Sequence, residues 1–66
     1  MDRSVAREIA KYGINVGDTV TVQTGMYAGE RGVVARIARA AGFVAAIVKL
    51  DKGIVAGAGL YDLVKA

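Results

Sequence analysis

The spacing of apolar residues changes along the first part of the chain, and the change predicts a short helix followed by strands. Val5, Ile9 and Tyr12 recur at the interval of one helical face. We therefore expect a helix over residues 4–12, ended by Gly13 in a left-handed conformation. So short a helix is marginal in isolation, and we expect it to dock on the rest of the fold.

From Gly17 onward the pattern becomes the alternation of apolar and polar residues that is typical of strands. Glycine-containing segments separate the apolar runs and predict tight turns, as at Lys52-Gly53. Five short strands with such turns favour a small barrel over an open sheet, because closure removes exposed strand edges. The predicted strands cover residues 18–24, 32–39, 43–51 and 54–58, with a closing piece at 60–65.

The composition limits the chain to one domain with a thin core, because it has only 66 residues. We expect residues 1–13 to form an N-terminal helical segment docked on a barrel of residues 14–66. Apolar residues make up 55% of the chain and the mean hydropathy is +0.42, more than so small a core can bury. Two explanations stay open: alanines scattered over the surface, or an apolar interface between copies of the chain.

Residues 17–37 read GDTVTVQTGMYAGERGVVARI, in which alternating valines are followed by three glycines and a second β-branched run. This pattern resembles the KOW motif of large-subunit ribosomal proteins and of the transcription factor NusG, over about a third of the chain. The resemblance implies an all-β fold, a small five-stranded SH3-like barrel that here carries a short N-terminal helix. It also implies a non-catalytic module that contacts RNA or a ribonucleoprotein or transcription complex. The residues that match the motif are Gly17, Asp18, Val20, Val22, Gly25, Tyr27, Gly29, Gly32, Val34 and Ile37.

The register of the second strand stays open between two alternatives. The resemblance to the KOW motif puts Val34 and Ile37 on the core face, which requires a β-bulge. Strict alternation puts Val33, Ala35 and Ile37 there, with Arg36 facing outward. The two alternatives differ in which side chains of this strand face solvent.

The side chains offer little for catalysis or for metal binding. The absence of histidine and cysteine removes the commonest general base and the usual nitrogen and sulfur metal ligands. The six carboxylates include no pair at a spacing that specifies an acid–base or metal site. We expect no enzyme activity, cofactor, metal or small-molecule substrate. The polar N-terminus and the shortness of the apolar runs predict a cytoplasmic protein without membrane contact.

Positive charge is concentrated in the middle of the chain. Residues 30–52 contain five basic and two acidic side chains, which account for the whole formal net charge of +3. A basic hairpin of this kind suggests an anionic partner. The KOW resemblance implies that this partner is RNA, with Tyr27 either stacking on a base or packing over the barrel rim. The expected nucleic-acid-binding residues are Tyr27, Arg31, Arg36, Arg39, Lys49 and Lys52.

A second hypothesis is a protein-interaction or self-assembling SH3-like barrel with no role in nucleic-acid binding, for which a phage-encoded or an engineered origin stays open. The first strand and loop carry threonine, methionine, alanine and glutamate where ribosomal KOW proteins are rich in lysine. Met26 and Tyr27 would then form an apolar tip for a protein partner, because both residue types are enriched at interfaces. The apolar excess of the chain would fit a homo-oligomer.

Overall fold

The computed structural model describes residues 3–66, which form one α-helix and five β-strands. Met1 and Asp2, part of the expected segment 1–13, lie outside the described residues. The strands predicted before residue 60 are present with bounds shifted by one or two residues, and the closing piece is a short helix followed by a strand. The elements are α1 (Arg3–Tyr12), β1 (Thr19–Val22), β2 (Arg31–Ala40), β3 (Phe43–Leu50), β4 (Val55–Gly59), a 3₁₀ helix (Leu60–Asp62) and β5 (Leu63–Lys65).

The strands form one antiparallel sheet in the order β4-β3-β2-β1-β5, so that β4 and β5 are its two edges. Within residues 3–66 no strand pairing joins these edges, and the sheet is open where closure was expected. β5 is three residues long and pairs with β1, while the 3₁₀ helix separates it from β4. The fold is therefore mostly β, with five antiparallel strands in one open sheet and one short helix.

A β-bulge determines the register of β2. The pairing of β2 with β3 shifts between Val34 and Arg36, so that Ala35 is the additional residue. Val34 is 1% exposed and Ile37 is half-buried, whereas Val33 is 42% exposed. The alternative taken from the KOW resemblance is confirmed, and strict alternation is wrong because the extra residue reverses the faces beyond it.

The helix α1 packs on the sheet through Val5, which is buried. It contacts β2, β3 and the 3₁₀ helix. Its end is as expected: Gly13 has a φ of 67°, and its N–H donates to the carbonyl oxygen of Ile9 at 2.9 Å. A helix that is marginal alone is stabilised here by the packing of its apolar face.

The core lies between one face of the sheet and α1. β3 contributes four alternate residues to it, as the pattern of that strand predicts. Leu60, on the 3₁₀ helix, reaches the core just before the final strand and is 1% exposed. We call the core side of the sheet its inner face and the opposite side its outer face. The buried apolar residues are Val5, Ile14, Val20, Val22, Val34, Val44, Ala46, Val48, Leu50, Ala56, Leu60 and Leu63.

Candidate nucleic-acid interface

Three of the expected nucleic-acid-binding residues lie together on the outer face of β2 and β3. Lys49 pairs with the exposed Val33, and Arg36 pairs with Ile47. Arg31 is two residues from Val33 and therefore lies on the same face. Direct and diagonal neighbours on adjacent strands are separated by about 5–8 Å. We call Arg31, Arg36 and Lys49 the basic face.

The bulge in β2 is what brings the two arginines of the basic face together. Arg31 and Arg36 are five residues apart, and a regular strand would place them on opposite faces of the sheet. The additional residue at Ala35 changes this odd spacing into an even one. Both guanidinium groups can then reach the same ligand.

The charges on the basic face leave it able to bind an anion. Arg31 Nε lies 4.0 Å from Asp51 Oδ2, and both side chains are largely exposed. An exposed pair of this kind is worth about 1 kcal/mol or less, so an arriving phosphate can displace the carboxylate. In the described part of the chain, Arg36 and Lys49 have no ion-pair partner. The face thus presents two unpaired cations and one weakly paired cation.

Arg39 lies on the inner side of β2 and does not join the basic face. It pairs with the buried Val44, three residues beyond Arg36, and an interval of three reverses the face in a strand of period two. Arg39 lines a shallow depression of about 320 Å³ beside α1, together with Arg7 and Glu8. Arg39, although expected to bind nucleic acid, therefore lies apart from the basic face.

Tyr27 and Lys52 form a separate cluster where the β1–β2 loop meets the turn between β3 and β4. Tyr27 is half-buried and packs against the core. Lys52 Nζ lies 5.4 Å from the centre of the Tyr27 ring and 3.3 Å from Glu30 Oε1. The ring is thus held between the core and an ammonium group, as in the alternative in which it packs over the rim.

A groove of about 760 Å³ opens beside β4, an edge strand of the sheet. Met26 lies on its rim and is 89% exposed. Asp62 is the charged residue among those that line the groove, and its Oδ1 accepts a hydrogen bond from Thr24 Oγ1 at 2.6 Å. The rest of the lining is uncharged and comes from the β1–β2 loop, β3, β4 and the 3₁₀ helix. A groove of this size and character can hold a small ligand or one group of a larger one.

An exposed aromatic pair at the end of this groove is a feature that the sequence analysis missed. The rings of Phe43 and Tyr61 are 6.2 Å apart at their centres and meet edge to face, at an angle of 68°. A Cβ on Gly59 would collide with ring atoms of Tyr61, so the ring lies directly over that glycine. A glycine two residues before a tyrosine was the available signal, because it leaves room for the ring to fold back over the strand.

Comparisons with protein families, curated proteins and solved structures find no match to this chain. Within residues 3–66 no helix is long and apolar enough to cross a membrane. The same residues contain no group of three or more acidic, histidine or cysteine side chains that could hold a metal ion. The functional assignment therefore depends on the surfaces described above.

Proposed function

We propose that the chain is a non-catalytic binding module of the KOW-type, SH3-like class, which contacts RNA or a ribonucleoprotein through its basic face. The observation that carries the proposal is the presence of Arg31, Arg36 and Lys49 on one face of two paired strands. The buried Leu60, delivered by a 3₁₀ helix just before the final strand, supports the SH3-like part. It resembles the closing element of SH3-like barrels, in which a short turn of helix delivers a leucine to the core before the final strand.

The neighbourhood of the basic face favours a phosphate backbone as the ligand. Thr21 pairs with Arg31 and Thr19 pairs with Val33, so two hydroxyl groups border the cations on the same face. Hydroxyl, guanidinium and ammonium groups are the usual side-chain partners of phosphate oxygens. The carboxylate of Asp51 is an acidic group beside them, and its exposed pair with Arg31 is weak.

The first test uses fluorescence anisotropy to measure how the affinity for a labelled single-stranded RNA depends on salt concentration. Three phosphate contacts predict that the logarithm of the affinity falls with the logarithm of salt concentration with a slope of about −2. Affinity is expected in the non-specific range, with a Kd of roughly 10⁻⁴ to 10⁻⁶ M. Absence of binding at low salt, or binding that does not weaken as salt rises, would refute the proposal.

A charge-reversal pair of variants locates the contact. Arg36→Glu is expected to weaken RNA binding and to flatten the salt slope, because it places a carboxylate on the basic face. Arg7→Glu is the matched control: it makes the same change in net charge at an exposed position of α1. Equal losses in the two variants would indicate an effect of overall charge and would exclude the basic face as the contact.

A second candidate function is protein interaction, including self-assembly, and the groove beside β4 is the observation that favours it. The strand VAGAG is uncharged and has one unpaired edge, and such edges can accept another strand. Light scattering at micromolar concentration tests the self-assembly form directly. Self-assembly would be supported if the wild-type protein has a mass above 6.8 kDa and the Val55→Lys variant has the mass of the monomer. It would be refuted if both the wild type and the variant are monomers.

A further inference from the structure

We infer that the nucleic acid bound by this protein is a single strand, and that Tyr61 stacks against one of its bases while the basic face holds the adjoining phosphates. This inference rests on the proposed function and names the class of nucleic acid that the outer face would select. It starts from the exposed aromatic pair of Phe43 and Tyr61.

The Tyr61 ring is a stacking surface that is already in place. A Cβ on Gly59 would collide with three atoms of the Tyr61 ring, so one face of the ring rests on the backbone of β4. The edge-to-face contact with Phe43 fixes the orientation of the ring. Tyr61 is nevertheless 63% exposed, which leaves the other face of the ring open. Stacking of a base there would cost little side-chain conformational entropy, because the ring is already ordered.

The aromatic pair and the basic face belong to one continuous track. Gly59, under the Tyr61 ring, pairs with Ala45. Ala45 lies on the outer face of the sheet, because it alternates with the buried residues of β3. Phe43 and Lys49 stand at the two ends of the same outer-face row, six residues or about 20 Å apart. Arg36 lies between them, across the row on β2. A chain of nucleotides following β3 would therefore meet an aromatic surface and then successive cations.

The charges at the two ends of the track determine which end binds a base and which end binds phosphates. Asp62 lies beside Tyr61 and its carboxylate repels a phosphate, so the aromatic end suits an uncharged base. The groove of about 760 Å³ beside the ring provides space for that base. At the other end Lys49 and Arg31 suit the phosphates.

A single strand fits this arrangement and a duplex does not. The bases of a duplex are already stacked on one another, whereas a single strand can present an unstacked base to an aromatic ring. Tyr27 is a poor alternative for this role, because it is half-buried with Lys52 over its ring. Tyr61 is thus the aromatic residue whose open face lies on the same side of the sheet as the cations.

The test compares binding of labelled RNA and DNA single strands of about eight nucleotides with binding of the matching duplexes at one salt concentration. Both single strands are expected to bind more tightly than their duplexes. Tyr61→Leu is expected to weaken single-strand binding by roughly 5- to 150-fold, whereas Tyr61→Phe, which keeps the ring, should bind as the wild type does. Circular dichroism establishes that each variant is folded.

Addition of the single strand to the wild-type protein, monitored by NMR, supplies a measurement that does not depend on a variant. Stacking should shift the ring signals of Tyr61 upfield on addition of the single strand, and those of Tyr12, which packs against the core, should stay in place. Salt-dependent binding with no preference for single strands, or with unshifted Tyr61 signals, would overturn the inference and leave the proposed function standing. Absence of salt-dependent binding would overturn both.

Discussion

Replacement of Gly32 by alanine is expected to cause a large loss of stability. Gly32 is buried in β2, and a Cβ there would collide with the carbonyl oxygen of Lys49 and lie 2.8 Å from the Cα of Leu50. Both are backbone atoms of β3, which cannot move without separating the two strands locally. The φ of Gly32 is outside the left-handed region, so the expected cost is steric.

The size of the loss follows from the packing of the two strands. Overpacking a core typically costs about 1–3 kcal/mol, and a collision with backbone atoms belongs at the upper end of that range. At about 0.05–0.15 kcal/mol per residue, a chain of this length has a free energy of unfolding of roughly 3–10 kcal/mol. Gly32→Ala should therefore remove about 3 kcal/mol, which corresponds to a fall in Tm of roughly 12–24 °C.

The assay is thermal unfolding monitored by circular dichroism, and Gly57→Ala is the matched control. Gly57 is also a strand glycine outside the left-handed region, but a Cβ there would meet only Ile47 Cδ1, at the ordinary distance of 3.9 Å. The control should therefore unfold at or slightly above the wild-type Tm, because alanine lowers the entropy of the unfolded chain. If Gly32→Ala unfolds within a few degrees of Gly57→Ala, the close approach of β2 to β3 at this position is refuted.

The remaining predictions concern the closing element and the basic face. Leu60→Ala should lower the free energy of unfolding by about 2–5 kcal/mol in a urea titration, because it empties a fully buried site; a loss below about 1 kcal/mol would mean that the 3₁₀ helix does not seal the core. Asp51→Asn should change that free energy by less than about 1 kcal/mol, since its pair with Arg31 is exposed. The same variant should bind RNA more tightly in the anisotropy assay by releasing Arg31, and weaker binding would contradict the assignment of the basic face.

The buried face of β3 could be predicted because its alternation is uninterrupted. Val44 and the three alternate residues after it follow period two, and the structure buries all four. The end of α1 at Gly13 could be predicted for a similar reason, since a glycine after an apolar stripe is a local signal. Both features depend on residues that are neighbours in the sequence.

Features that depend on contacts between distant residues could not be predicted in the same way. Closure of the barrel was expected from the number of strands, but the pairing of the short β5 with β1 leaves two unjoined edges. Whether Arg36 lies on the same face as Arg31 depends on the bulge, which the sequence permits without requiring. The aromatic surface was missed because it forms only when Tyr61 folds over Gly59 and meets Phe43, from a different strand.

The bulge at Ala35 also has a consequence for how this chain can change in length. Removal of Ala35 would leave a regular strand in which Arg36 follows Val34 directly, with both residues keeping their present faces. Deletion of a residue elsewhere in the interior of the strand would exchange the faces of the residues on one side of the gap. β2 therefore contains one position at which evolution or protein engineering can shorten the strand and retain both the core and the row of cations.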